Sequence, residues 1–165
     1  MIQGQLKTNI KEPEIVVREV KNLPNSYDDT ERVLIIDADS IMYFATHFPD
    51  DSLMQFPTEE ERIEEAKYRT SSKIHEIHNN IEPYYNIQET FIFIGGGNNF
   101  RYDIYPQYKS NRKEKNPLIP VIADYMLKEL NAIPSKGAEA DDYVYNATVM
   151  SGGKCVVAAI DKDLL

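Results

Sequence analysis

Three short apolar runs constrain this chain more than any other feature. Val33-Leu-Ile-Ile, Phe91-Ile-Phe-Ile after Thr90, and Cys155-Val-Val-Ala-Ala-Ile after Lys154 are too short and too uniformly apolar to form one face of a surface helix. A strand with water on one side alternates apolar and polar residues, so a run that is apolar at every position is buried on both faces, as in the centre of a parallel sheet. The segments between the runs carry helix punctuation. Ser40 is placed to N-cap a helix over 41–48. Thr58 with Glu61 forms a capping box, and behind it Ile63, Ala66, Ile74, Ile77 and Ile81 recur at helical spacing until Pro83. Further helices are expected over 118–130, with Asn131 near its end, and over 138–150, stopped by Gly152 and Gly153. Strands alternating with helices predict an α/β sandwich around a mainly parallel sheet.

Composition narrows the class. A chain of 165 residues suits one domain with a full core, and 42% apolar with 27% charged residues is an ordinary globular balance. The single cysteine, Cys155, lies inside an apolar run, which excludes an internal disulfide framework and fits a reduced, cytoplasmic protein. No apolar stretch is long enough for a membrane span, and residues 1–12 lack the apolar core of a secretory signal. Residues 1–31 hold one short strand pattern over 14–20 and then a turn-rich polar segment, so they read as an extension or linker ahead of a domain over 32–165.

If the three runs lie side by side, their exits share one edge, and that edge is acidic. Asp37 ends the first run, Asp161 and Asp163 follow the third, and Glu139, Asp141 and Asp142 open the helix over 138–150. Each acid alone has an ordinary explanation: first-turn acids complement a helix dipole, Asp39 is a helix cap alongside Ser40, and Asp-Lys-Asp is a common turn. Six carboxylates converging on one edge cannot all ionise near neutral pH without a counter-charge, and an oxygen-only donor set selects hard divalent ions such as Mg²⁺ or Mn²⁺. The glycines after the second run, Gly95-Gly-Gly, continue as Asn98-Asn-Phe-Arg and lack the third glycine and helix of a dinucleotide site. His75 and His78 are three apart without a third ligand and read as a solvated helix face. His47 reads as dipole complementation, and Tyr84 and Tyr85 receive no role.

A formal charge of −9 opposes binding to nucleic acid by bulk electrostatics. Between residues 101 and 115, however, Arg101, Lys109, Arg112, Lys113 and Lys115 face only Asp103 and Glu114. Tyr105 and Tyr108 interleave with these cations, and stacking rings beside phosphate-binding cations are the usual means of gripping a single strand. The segment has few aliphatics, which predicts a stretch that orders weakly or on binding and arches over the acidic edge; a plain solvated loop is the competing reading.

Taken in order, Ile35-Ile-Asp37, Asn99-Phe-Arg101, Tyr108-Lys-Ser-Asn-Arg112, Gly137-Ala-Glu-Ala-Asp-Asp142 and Ile160-Asp-Lys-Asp-Leu-Leu165 resemble the 5′→3′ exonuclease and flap endonuclease family, above all its bacteriophage members. The resemblance spans about residues 33–165. It implies a PIN-like three-layer α/β/α sandwich, incomplete on its C-terminal side, and two-metal hydrolysis of phosphodiester bonds at DNA or RNA–DNA 5′ ends and flaps. By the same resemblance, Asp37, Glu139 and Asp141 serve one Mg²⁺ or Mn²⁺, with Asp37 and Asp141 central to catalysis, while Asp142, Asp161 and Asp163 serve the other. Residues of about 101–117 become a helical arch in which Lys109 and Arg112 contact the phosphate, Lys109 with a catalytic role, and Arg101 orients the arch. Arg101, Tyr105, Tyr108, Lys109, Arg112 and Lys113 form the expected nucleic-acid surface.

Two departures accompany the resemblance. Family members commonly carry an aspartate directly after the second strand, where this chain has Ile94 and then Gly95, leaving that place in the first metal shell to water or a nearby acid. Members also continue beyond the Asp-x-Asp element into a helix-hairpin-helix region, whereas this sequence stops at Leu165. Two alternatives therefore stay open: a fragment that binds branched or single-stranded nucleic acid or a separately encoded C-terminal half without cutting alone, and a PIN-type ribonuclease.

Overall fold

The computed structural model describes residues 31–49, 55–97, 99–108, 110 and 116–159. The extension over 1–30 therefore lies outside the described residues, as do Lys109, Arg112, Lys113, Lys115, Asp161 and Asp163. In chain order the elements are β1 (Glu31–Asp37), α1 (Asp39–Thr46), α2 (Glu59–Ile81), β2 (Asn86–Ile94), α3 (Phe100–Ile104), α4 (Leu118–Glu129), β3 (Ile133–Pro134), α5 (Ala140–Met150) and β4 (Cys155–Ala158). The strands form one sheet in the order β3-β2-β1-β4, every pair parallel.

The period-2 geometry of a strand divides the core in two. Leu34 and Ile36 of β1 and Ile92 and Ile94 of β2 point to one face, where they meet Ile41 and Met42 of α1, Ala66 and Ile74 of α2, and Ile122 and Met126 of α4. Val33 and Ile35 of β1 and Phe91 and Phe93 of β2 point to the other, where α5 supplies Ala140, Val144 and Ala147. Helices on both faces complete the expected α/β/α layering. The capping box expected at α2 is present: Glu61 N–H donates to Thr58 Oγ1 at 3.2 Å and Thr58 N–H to Glu61 Oε2 at 3.0 Å. Asn131 takes the left-handed conformation, φ 51°, that ends α4.

Three local expectations need correction. Ser40 is not an N-cap: α1 starts at Asp39 with Ala38 before it, and Ser40 Oγ instead donates to the Asp37 carbonyl at 3.4 Å. The reason lies in the sheet, because Ala38 N–H still donates to the Phe93 carbonyl at 2.9 Å and leaves the chain no room for a separate loop before the helix. β3 was not foreseen; two residues ending in proline carry no strand pattern, and proline is tolerated there because β3 is an edge. β4, expected to be buried, is half-exposed at all four positions because it forms the opposite edge and pairs only with β1 among the described residues.

Since β2 and β3 lie to one side of β1 and β4 to the other, the winding of the sheet reverses at β1. A parallel α/β sheet opens a crevice at the carboxyl ends of its strands where such a reversal occurs. The neighbouring exit of β2 is held tightly. Gly95 N–H donates to Asp39 Oδ1 at 2.7 Å, Gly96 N–H to Ser135 Oγ at 3.0 Å, and Ser135 N–H to the Ile94 carbonyl at 2.8 Å.

The two glycines differ in what a side chain would meet. A Cβ on Gly96 would run into the Ser135 backbone carbonyl, whereas one on Gly95 would lie 2.8 Å from Asp39 Oδ2, the movable end of a side chain. Gly96→Ala is expected to destabilise the fold by about 1–3 kcal/mol through forced backbone displacement. Gly95→Ala should cost under about 1 kcal/mol, since Asp39 can swing aside. Urea unfolding of both variants checks this, and equal midpoints would show that the Gly96–Ser135 approach is not tight.

Candidate active site

Asp37 terminates β1 at the reversal point and is only 5% exposed. Four fully buried apolar residues precede it, so it is the first ionisable side chain the strand presents as it leaves the core. Asp39 N–H donates to its Oδ1 at 3.2 Å, turning the chain into α1 and stabilising the charged carboxylate. Asp39 itself reaches across to β2. Its carboxylate accepts from Gly95 N–H and fills the space into which a side chain at position 95 would project. An acidic group thus stands beside the β2 exit although β2 carries none at its end.

The second group of acids opens α5. Gly137, at φ 74°, adopts a left-handed conformation that turns the chain toward this helix. Tyr143 fixes the same turn, its hydroxyl accepting from Lys136 N–H at 3.0 Å and donating to the Lys136 carbonyl at 3.2 Å. Glu139 is the N-cap, and its N–H donates to Asp142 Oδ2 at 3.0 Å within a capping box. Asp141 and Asp142 follow in the first turn, where negative charge is stabilised by the helix dipole.

The start of the arginine- and tyrosine-bearing segment is bound to this helix end. Phe100 N–H donates to the Gly137 carbonyl at 2.9 Å, and Asn99 Oδ1 caps α3 by accepting from Arg101 N–H at 3.0 Å. Arg101 forks onto Asp142, Nη1 to Oδ2 at 2.6 Å and Nη2 to Oδ1 at 2.9 Å, with Glu139 Oε2 3.9 Å away. The hydrogen bonds to Asp142 raise the guanidinium pKa above its ordinary value, opposed by partial desolvation and supported by the charges of Asp142 and Glu139. Tyr108 OH donates to Glu139 Oε2 at 3.0 Å, and its ring meets that of Tyr102 edge-on at 5.7 Å. Tyr105 is exposed, its hydroxyl donating to Gln107 Oε1 at 3.3 Å. The far end of the segment is tied down as well: Asn116 Nδ2 donates to the Thr46 carbonyl at 2.8 Å and its Oδ1 accepts from Leu118 N–H at 2.9 Å.

Of the expected site residues, the structure thus places Glu139, Asp142, Arg101 and Tyr108 in mutual contact, Asp37 at the end of β1, and Asp141 half-buried in the first turn of α5. Among the described residues, no three His, Cys, Asp or Glu side chains are grouped so as to hold a metal ion. The donor set, carboxylates only, has the chemistry of a hard divalent site. Among the described residues these carboxylates are engaged by side chains: both Asp142 oxygens accept from the Arg101 fork and Glu139 accepts from Tyr108. Among the described residues, the cation paired with Asp142 is the Arg101 guanidinium.

Asp39 and Asn116 carry no site assignment in the sequence reading. Asp39 is visible only as the second acid of Asp-Ala-Asp, a pattern shared with any helix cap, and the signal that would single it out is the bare glycine at position 95, far along the chain. Asn116 before Pro117 resembles an ordinary turn. No helix among the described residues is long and apolar enough to cross a membrane.

No solved structure gives a significant match to the chain. Residues 32–165 match the family described as 5′-3′ exonuclease, N-terminal resolvase-like domain, a span that begins one residue into β1 and takes in every later described element. With four parallel strands, helices on both faces and acids at the carboxyl edge already in place, this match establishes that the chain belongs to the 5′-3′ exonuclease N-terminal, resolvase-like domain family and is a nuclease domain of that type.

Proposed function

We propose that this domain hydrolyses phosphodiester bonds at 5′ ends or 5′ flaps of DNA or RNA–DNA hybrids, using Mg²⁺ or Mn²⁺. The observations that support the reading are a buried acid at the end of a central strand, Asp37, and an acid-rich helix start to which the arginine- and tyrosine-bearing segment is bonded. Asp37, Glu139 and Asp141 would hold one ion and Asp142, Asp161 and Asp163 the other, with Asp39 supplying the carboxylate that β2 lacks. Held by these carboxylates, divalent ions would lower the pKa of water toward neutrality and would offset charge on the leaving oxygen.

The remaining work falls to the chain's own side chains. Lys109 and Arg112 would neutralise the phosphate, which an acidic protein must achieve with local cations. Tyr105, exposed, is available to stack on an unpaired base, with Lys113 beside the backbone. Tyr108 is already committed to Glu139, so it would orient that carboxylate as well as meet the strand. The described ends of the 101–117 segment are tied at Arg101 and at Asn116, which supports the reading that the segment would cross the edge as a strap.

A second reading, joint action with a separately encoded C-terminal half, is favoured by the apolar side chains that α5 exposes, Tyr145, Val149 and Met150. Restored cleavage on adding that half to an inactive chain would select it.

With 5′-labelled flap DNA and Mg²⁺, cleavage is expected, and Asp141→Asn is expected to reduce it by at least about 10²-fold, the usual loss when charge stabilisation of a transition state is removed. Labelled single-stranded RNA in the same assay separates this reading from a ribonuclease. Cleavage that Asp141→Asn leaves intact would rule out the assigned site. Lys109→Ala should lower kcat/KM by about 10–10²-fold while leaving Mn²⁺ affinity unchanged, because it addresses phosphate and not the ions. A parallel loss of Mn²⁺ binding would overturn that division.

A further inference from the structure

Lys136 is held by its backbone while its charge is left open. The Tyr143 hydroxyl bonds both its N–H and its carbonyl, at 3.0 and 3.2 Å, and the Tyr143 ring lies 5.9 Å from that of the buried Phe93. The neighbours are fixed as well: Ser135 N–H donates to the Ile94 carbonyl, and the Gly137 carbonyl accepts from Phe100 N–H. The turn from β3 to α5 thus has a set position at the carboxyl edge of the sheet, just ahead of Glu139. Lys136 is exposed, and among the described residues no carboxylate pairs with it, whereas Lys67, Arg69, Lys73, Arg101 and Lys128 each pair with an acid. The surface beside it is bare. Gly95, Gly96 and Gly97 at the β2 exit and Gly137 on the turn are all exposed, and a Cβ at Gly97 or Gly137 would meet nothing within 4 Å.

We propose that Lys136 binds a backbone phosphate of the nucleic acid and so holds the strand against the glycine surface between the β2 exit and the start of α5. This inference rests on the nuclease reading above and deepens it with a contact outside the cationic stretch 101–115. An acidic edge repels phosphate most where a strand comes nearest to it, so the attraction must come from cations standing at that same edge. Arg101 is committed to Asp142; the ammonium of Lys136 is not committed to any described acid. Lysine suits such a task, because it is a compact charge with three donors on a flexible stem and meets a phosphate without a fixed approach angle. Its backbone meanwhile stays clamped by Tyr143, so the contact has a defined place on the fold. The missing side chains at 95–97 and 137 let a sugar-phosphate backbone come close to the main chain.

The test is an anisotropy titration of the full chain with fluorescent 5′-flap DNA and with the matching single strand, in EDTA and with Ca²⁺ in place of Mg²⁺, over a range of salt. Lys136→Ala is expected to weaken binding about three- to tenfold near physiological salt and to lower the slope of log Kd against log salt by roughly 0.7–0.9, the share of one phosphate contact. Lys136→Arg should keep wild-type affinity. Lys128→Ala removes the same net charge from α4 and should leave binding unchanged. Neutralising single phosphates as methylphosphonates separates contact from bulk charge: one position should weaken the wild type and cost Lys136→Ala nothing more. Affinity and slope in Lys136→Ala equal to wild type, or equal losses in both proteins at every methylphosphonate, would overturn the contact while leaving the nuclease reading intact. A wild-type chain that binds neither DNA under either condition would refute that reading and the contact together. Should Lys136→Ala fail to fold, Lys136→Gln decides by the same measurements.

Discussion

Burial of β1 and β2 on both faces is the constraint from which the rest of the molecule follows. Val33 to Ile36 and Phe91 to Phe93 have no exposed surface, because helices cover the sheet above and below. Within these fully enclosed stretches a charge would bear the cost of an unsolvated ion, so the acid that follows Ile36 appears where β1 leaves the core. Asp37 does this. The parallel arrangement then gives every strand the same direction, so what leaves one strand at its carboxyl end stands beside what leaves its neighbours. Site and sheet are two consequences of one burial pattern.

Acids so placed need positive charge, and among the described residues the ion pairs to the acids that open α5 come from Arg101. The net charge is −9, yet the residues bonded to the start of α5 include Arg101, drawn from the segment where the cations concentrate. The helix dipole offsets part of the charge on Glu139, Asp141 and Asp142 and the guanidinium a further part. The same ion pair has a mechanical effect, since it fastens one foot of the 101–117 segment to α5, and Asn116 fastens the other to the end of α1. Electrostatic compensation and placement of the segment are therefore one interaction.

The sequence is legible wherever a local rule meets no opposition from the tertiary structure. Thr58 and Glu61 cap α2 as read, Asn131 closes α4, and the apolar runs become β1 and β2, because in each case the pattern is complete within a few residues. It misleads where a distant partner decides. Ser40 has cap chemistry, but the bond from Ala38 to Phe93 starts the helix earlier. β4 has the composition of a central strand, and only sheet order, which no single run encodes, makes it an edge among the described residues. In the site the acids were legible as a set, and the pairing of Arg101 with Asp142 was not, because 41 residues separate them and nothing in either motif specifies the other. Tyr108 likewise reads as a stacking ring, while its hydroxyl is what the structure engages.

Positions 39 and 95 illustrate how such distant dependence can still leave a trace. Asp39 Oδ2 lies 2.8 Å from where a Cβ on residue 95 would be, so the two positions cannot both carry side chains directed into that space without one moving. A carboxylate at the β2 exit can thus come from the end of β2 itself or from the first residue of α1, and the choice of one constrains the other to be small. Glycine at 95 leaves its N–H open to Asp39, and the 2.7 Å bond between them fixes the carboxylate that fills the gap. Read alone, Gly95 looks like the loss of an acid and Asp39 like an ordinary helix start. Read together they show one charge serving two neighbouring strand exits, because Asp39 brings to the end of β2 a carboxylate that β2 itself does not carry.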